Sequence, residues 1–487
     1  MKLNQKHTNL VITIVTCSLL ILTSLSAGEV AKNASPERME EWRDWKFGMF
    51  IHWGPFAQAG APNGRISSMR KDLEQGLNYY KTFNPVKYDP NQWAELASDA
   101  GMRYAVLVAK HHDGFCNWDS KVSERTITNP DCPWSKSKNP DIVGQYVKAF
   151  RKADVKVGLY SSHLNYSDPG GMGAMIDAKP GAKRKSVNRW VEDYKEKAPE
   201  LWKNYVQQEY DQLSELMGNY GPIDIVWFDI HWPKNGSEDA APIYQMIREK
   251  QPNIIFDNRG TLDYVDYKVQ EQWVPNVPPK TEFWEFNCPT ASSGGGGFWY
   301  KGENAVYRTG EELLYILVDV VGKGGNFLLN VSPKPDGSIA DQEVAALMDI
   351  GKWMDNNSEA IYGTTASPWG DPPAWGRIST KGNRLYLMVW DWKEGSELAL
   401  DIPAKQVKRV SLLANNKKVK YSNTKDGIKI NLSTSAPDKY VSVIAVDYSG
   451  DLKVKQKWSK PVKHEKSDVW HFDQNTGKQE KGFPPNP

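Results

Sequence analysis

Ile223-Asp224-Ile225-Val226-Trp227-Phe228-Asp229 reads as a buried strand that closes on an aromatic ring and a carboxylate. In a barrel of parallel strands, reactive side chains are presented at the C-terminal ends of the strands. A carboxylate held there beside Trp227 suits attack on a sugar carbon. Two further runs end in the same manner. Phe50-Ile51-His52-Trp53-Gly54 is one, and Tyr104 to Lys110, running on into His111-His112-Asp113-Gly114-Phe115, is the other. Together the three runs argue for a glycoside hydrolase.

Outward from these runs, strand-like and helix-like segments alternate from Lys46 to about Gly363. Strands are predicted at 47–53, 104–110, 156–161, 223–229, 253–258, 283–286 and 326–331. Helices are predicted at 91–101, 141–154, 201–219, 311–321 and 342–354, where apolar residues recur at helical spacing. Alternation of this kind implies parallel strands with crossover helices. The fold class is therefore α/β, with a (β/α)8-like barrel over residues 28–368, its irregular spacing implying that loops replace some helices. After Pro368 the runs become short and several alternate, separated by polar turns such as Asn415-Asn416 and Asp426-Gly427. This pattern predicts a C-terminal antiparallel β-sandwich over 369–450. Residues 451–487 are lysine-rich and read as an extension that packs along the surface through Trp458 and Trp470.

The chain of 487 residues carries a net charge of only +2, which argues against nucleic acid as a partner. Its 20 Trp and 22 Tyr suit both core packing and stacking against sugar faces. At the N-terminus, Lys2, Lys6 and His7 precede an apolar run from Leu10 to about Leu25, followed by the small residues Ser26 and Ala27. Residues 1–27 thus read as a secretory signal peptide, and the mature protein as secreted or periplasmic, without a membrane span. Thr13, Thr16, Ser18 and Thr23 interrupt the run and argue against a permanent anchor. Beyond that segment stand Cys116, Cys132 and Cys288, an odd number that allows at most one internal disulfide. With no CxxC and no chelating histidine spacing, neither a metal nor another cofactor is expected.

A retaining glycosidase needs two carboxyl groups roughly 5–5.5 Å apart, one to attack the anomeric carbon and one to protonate the leaving oxygen. Asp229 is the candidate nucleophile, a strand-end ion pair or helix cap being its plainer reading. Two residues compete for the second role. Glu271 lies in a stretch that reads as a loop, Val269-Gln-Glu-Gln-Trp273, and Glu285 ends the next strand. Burial would help either one hold its proton near neutral pH. The other would bind sugar hydroxyls or Arg259. His52, His111 and His112 all fall at predicted strand ends, where neutral imidazoles can serve sugar hydroxyls. Arg259 is placed to bind a hydroxyl or steady a carboxylate.

At these residues the chain resembles the α-L-fucosidases of glycoside hydrolase family 29. The similarity covers most of residues 40–370. It rests on Lys46-Phe-Gly-Met-Phe-Ile-His-Trp-Gly54, Ala109-Lys-His-His-Asp-Gly-Phe115 and the strand ending at Asp229. Most specific is Leu317-Val-Asp-Val-Val-Gly-Lys-Gly-Gly-Asn-Phe-Leu-Leu-Asn-Val-Ser-Pro-Lys-Pro-Asp-Gly337, running on to Asn357-Ser-Glu-Ala-Ile-Tyr-Gly363. The resemblance implies a distorted barrel followed by a sandwich, retention of configuration and no metal. By position, it implies that Asp229 is the nucleophile and that His52, His111 and His112 bind sugar. It implies that Trp53, Trp118 and Trp227 line the pocket and that Arg259 is the arginine after the fifth strand. Glu271 falls where many members carry the acid/base, and Glu285 belongs to a Trp-Glu motif also considered for that role.

The chain departs from the family pattern around the pocket mouth. Where members usually carry Glu-Trp it has Arg65-Ile-Ser-Ser-Met-Arg-Lys71. The third strand leads to His163-Leu-Asn-Tyr166 in place of Asp-Trp, and an insertion with Lys183-Arg-Lys185 follows. A glycine run, Ser292 to Gly297, lengthens the Trp-Glu region. L-Fucose is L-galactose without its 6-hydroxyl, and guanidinium groups bind oxyanions bidentately. The principal reading is therefore a secreted, exo-acting, retaining α-L-fucosidase. The alternative is an α-L-galactosidase acting on algal galactan, with or without 6-sulfation. A non-catalytic carbohydrate-binding protein on the same fold is the reading from another class, and Asp229 with both glutamates argues against it.

Overall fold

The computed structural model of the chain describes residues 30–59, 73–168, 170, 195–196, 198–232, 237–261, 263–272, 274–275, 277–291, 298–454, 456–458, 471–473 and 478–480. Eight parallel strands form one curled sheet: β1 (Phe47–Ile51), β2 (Tyr104–Lys110), β3 (Lys156–Ser162), β4 (Ile225–Asp229), β5 (Ile255–Phe256), β6 (Lys268–Glu271), β7 (Trp284–Pro289) and β8 (Asn326–Val331). Their order is β5-β4-β3-β2-β1-β8-β7-β6, so every paired neighbour is laddered except across a seam between β5 and β6. Side-chain and loop bonds span that seam. The Asp266 carboxylate accepts from Phe256 N–H at 2.8 Å, and Val269 N–H donates to Asn258 Oδ1 at 2.8 Å.

Helix α1 (Pro36–Trp45) packs Met39, Trp42 and Trp45 in one cluster with the interior residues Tyr104, Trp227 and Leu328, and outside the sheet lie α2 (Pro90–Asp99), α3 (Ile142–Lys152), α4 (Pro199–Asn219), α5 (Ser237–Lys250), α6 (Gly310–Gly322) and α7 (Asp341–Asn357). Their starts are chemically marked. Asp89 caps α2 with a proline at the first helical position, Asp141 caps α3, and Thr309 with Glu312 forms a reciprocal capping box on α6. Three of these expectations are corrected. The stretch read as a loop around Glu271 is strand β6, α1 and α5 lie outside the predicted helices, and β5 shrinks to two residues. Among the described residues no helix links β5 to β6 or β6 to β7.

Inside the sheet, alternation fixes which side chains meet. Tyr160 of β3 is in register with Trp227 of β4, and Asn287 of β7 with Glu271 of β6. Gly48 of β1 is required by close approach: a Cβ there would stand 2.5 Å from the Tyr104 ring. That ring fills the space over Gly48 and donates its hydroxyl to Glu285 Oε2 at 2.8 Å. On the outer side, the buried Lys110 ammonium pairs with Glu209 of α4 and donates to Gln212 Oε1 at 2.9 Å.

After the barrel, a four-stranded antiparallel sheet faces a three-stranded one over a core that includes Leu385, Leu387, Ile428, Ile430, Ile444 and Val446. Its strands run from β9 (Gly376–Lys381) to β15 (Ser442–Tyr448). Buried Asp319 of α6 binds both Lys323 and Arg377 of β9, which ties the barrel to this sandwich. Cys116, Cys132 and Cys288 are all free and buried, so the disulfide that the sequence allowed is not formed. No helix among the described residues is long and apolar enough to cross a membrane. The signal segment 1–27, Arg65 to Lys71, Lys183 to Lys185, the glycine run 292–297 and Trp470 lie outside the described residues.

Candidate active site

The C-terminal ends of β1, β2, β4, β6 and β7 converge on a cavity of about 210 Å³. Its wall includes His52, His111, His112, Trp227, Asp229, Arg259 and Glu271, so seven of the ten residues singled out in the sequence come together. Two larger clefts, of about 530 and 680 Å³, lie elsewhere and hold none of the ten.

Asp229 is the most heavily bonded group in the cavity. Its Oδ1 accepts from Arg259 Nε at 3.1 Å and Nη2 at 2.6 Å, and from Ile230 N–H at 2.8 Å. Its Oδ2 accepts from the Tyr160 hydroxyl at 2.8 Å and lies 3.5 Å from His112 Nε2. Burial alone would raise the pKa of this carboxyl. The Arg259 charge, with smaller contributions from His112 and the Tyr160 hydroxyl, overcomes burial and holds it well below the usual carboxylate range. Ile230 reaches back to Asp229 with φ of +67°, a conformation that costs a β-branched residue about 1–3 kcal/mol. Gln272, which follows Glu271, has φ of +66°. Each carboxylate that lines the cavity thus stands immediately before a left-handed turn.

Arg259 links the two sides. Its Nη1 donates to Glu271 while Nε and Nη2 hold Asp229, so one guanidinium spans both carboxylates and the seam between β5 and β6. The same cation lies 5.4 Å from the centre of the Trp227 ring. Tyr160 stacks on that ring at 5.6 Å and 17°.

Burial keeps His52 and His111 neutral. Burial pushes His52 down to about 3, with its Nδ1 bound to Asn330 Oδ1 at 2.6 Å. Burial also takes His111 well below the ordinary imidazole range, helped by the neighbouring His112 and His52. His112 Nδ1 sits 2.6 Å from Ser162 Oγ.

Three of the ten residues fall elsewhere. Glu285 is wholly buried beneath the cavity, where Oε1 accepts from Trp227 Nε1 at 3.0 Å and Oε2 from Tyr104. Burial raises its pKa to about 7 against the opposing pull of those two donors. Trp53 and Trp118 do not line the cavity, which corrects the reading taken from the resemblance. Strand alternation turns Trp53 away from His52 and onto Tyr88 and Trp93, at 5.1 Å from each ring. Trp118 lies in the loop after β2 and donates its indole N–H to Glu215 of α4 at 2.9 Å. Conversely, Tyr160, Asn287, Phe298 and Trp299 line the cavity without having been singled out. A two-residue count back from the end of β3 would have found Tyr160, and the aromatic triplet Phe298-Trp299-Tyr300 marks the other side.

Known proteins carry the same arrangement of folds. The profile described as alpha-L-fucosidase matches residues 26–359. Human tissue α-L-fucosidase is 28% identical over 90% of this chain and 96% of its own length. The solved structure of α-L-fucosidase isoenzyme 1 from Paenibacillus thiaminolyticus is 31% identical, with a TM-score of 0.73 over 85% of this chain and 99% of that one. The Thermotoga maritima α-fucosidase, solved in complex with fucose, is 26% identical over 84% of this chain and 96% of that one, with a TM-score of 0.66. A matched segment that takes in every strand of the barrel, and relatives covered almost end to end, make this chain a glycosidase of the α-L-fucosidase family.

Proposed function

We propose that the chain is an exported, exo-acting, retaining α-L-fucosidase. The observation that carries this reading is the single guanidinium of Arg259 bound at once to Asp229 and Glu271. Two carboxylates gripped by one planar cation lie on the scale of the roughly 5–5.5 Å separation used by retaining enzymes. The cavity of about 210 Å³ is smaller than the roughly 300–1,000 Å³ of sites for drug-sized ligands, which suits one terminal sugar ring. The names of the relatives supply the sugar, L-fucose.

In this reading Asp229, held ionised by Arg259, attacks the anomeric carbon, and Glu271 protonates the departing oxygen. Glu271 then takes a proton from the water that cleaves the fucosyl–Asp229 ester. Glu285 serves from below. It engages Trp227 through the indole N–H, and Trp227 in turn packs against Tyr160 and Arg259, the two groups that hold Asp229. Export rests on the basic, apolar and small-residue order of residues 1–27.

The test is hydrolysis of paired aryl glycosides, α-L-fucoside against α-L-galactoside, with the anomer first released followed by NMR. Preference for the fucoside with release of the α-anomer is expected. Preference for the galactoside would move the substrate to the alternative sugar, and release of the β-anomer would overturn the retaining mechanism.

A further inference from the structure

Asn287 is wholly buried and lines the cavity, and among the described residues neither its Oδ1 nor its Nδ2 has a hydrogen-bond partner. Its position is fixed by β7. Glu285, two residues earlier, projects into the barrel interior toward Tyr104 and Trp227. Alternation therefore puts Asn287 on the same interior face, one layer nearer the C-terminal ends of the strands. There it stands in register with Glu271 on one side and Leu328 on the other. Its backbone carbonyl is used, accepting from Gln272 N–H at 2.8 Å, while its side chain is not.

Asn330, on the next strand, shows what a structural asparagine does here. Its Oδ1 holds His52, and its Nδ2 donates to the Phe298 carbonyl at 2.5 Å and to Ser332 Oγ at 3.2 Å. Buried amides are ordinarily satisfied in this way, and an unsatisfied one calls for a reason. An amide offers an acceptor and donors on adjacent atoms, the complement of hydroxyl groups that themselves donate and accept. An apolar lining could not supply this. We propose that Asn287 is a specificity-determining residue whose amide hydrogen-bonds a ring hydroxyl of the bound sugar from the Glu271 side of the cavity. The proposal rests on the reading of the cavity as the sugar site.

The two roles of a buried amide, structural and ligand-binding, predict opposite results. An amide already engaged in the free protein stabilises it, whereas an unengaged one is removed at no loss of stability. The experiment compares the wild-type protein with N287L, close in size, and N287A, which adds no bulk. Thermal midpoints are measured without ligand. Competitive inhibition is then measured with L-fucose and its 2-, 3- and 4-monodeoxy analogues. Expected are unchanged or raised midpoints in at least one variant, weaker inhibition by L-fucose of about 10-fold, and one deoxy analogue that inhibits wild type and variant equally. Lowered midpoints in both variants would assign the amide a structural role and overturn the proposal. So would a penalty that is absent, or equal for every analogue. If the wild-type protein responds to L-galactose and not to L-fucose, the choice of sugar fails instead, and the same comparison runs on the L-galactose series. A wild-type protein blind to both sugars overturns the sugar site and this proposal together.

Discussion

Asp229 and Glu285 are two carboxyls in one barrel, the first partly buried on the cavity wall and the second wholly buried beneath it, both tied to the surroundings of Trp227, yet their chemistry has been driven apart. Burial pushes each toward its neutral form. At the cavity, Arg259 reverses that push and fixes Asp229 as an anion. Beneath it, Glu285 has only the neutral donors Trp227 and Tyr104, and burial prevails, leaving it near 7. A cation within reach, and not the residue type, separates the ionised carboxyl from the one that burial holds near 7.

The comparison can be broken most directly at Asp229. D229N should lower kcat by about 10⁴-fold or more while sugar binding persists, as titration calorimetry with L-fucose would report. A fully active D229N would remove the nucleophile from the argument. Next comes the partner carboxyl. E271G should lose about 10²–10⁴-fold in kcat/KM on a poor leaving group and recover activity with azide; E285G should show no azide rescue. Rescue confined to E285G would exchange the roles.

A third effect sharpens the contrast through stability. The folded-state pKa of Glu285 is raised from 4.5 to about 7, so the native state binds more protons than the unfolded state between those values. Its contribution is therefore full below about pH 4.5 and is lost as pH rises toward 7, a difference on the order of 3 kcal/mol. Denaturant unfolding of E285Q should lack this decline relative to wild type, and parallel pH profiles would show that Glu285 does not titrate there. The smallest effect concerns Trp118. W118F should cost about 1 kcal/mol of stability through the bond lost to Glu215 and leave KM for an aryl fucoside unchanged. A raised KM would return Trp118 to the pocket.

Much of the barrel was legible because its strands are continuous apolar runs and its helices carry one apolar face. Strand β6 was not, because Lys268-Val-Gln-Glu271 holds a single apolar residue and is only partly buried. Seven of the ten candidate residues gather on the cavity wall because each lies in the last residues of a strand or just beyond its end. Glu285 and the two tryptophans show the limit. A motif brings residues together along the chain, but the two-residue alternation sends Trp53 outward from His52, and the layering of β7 sinks Glu285 below the cavity. Asn287 was silent for a related reason: nothing in Phe286-Asn287-Cys288 tells an engaged amide from an idle one until its neighbours are placed.

The seam between β5 and β6 has a consequence for how the two carboxylates can be respaced. Everywhere else in the sheet, the distance between strands is dictated by a backbone ladder that substitutions hardly alter. Across the seam, backbone bonds from the Asp266 and Tyr267 N–H groups to the Phe256 carbonyl give way toward the cavity to the side-chain pair of Arg259 and Glu271, which single substitutions can alter. Asp229 is therefore carried on a strand laddered to its neighbour, while Glu271 faces it from an adjustable jaw. A change in the side chains at this joint would move Glu271 relative to Asp229 without rebuilding the barrel.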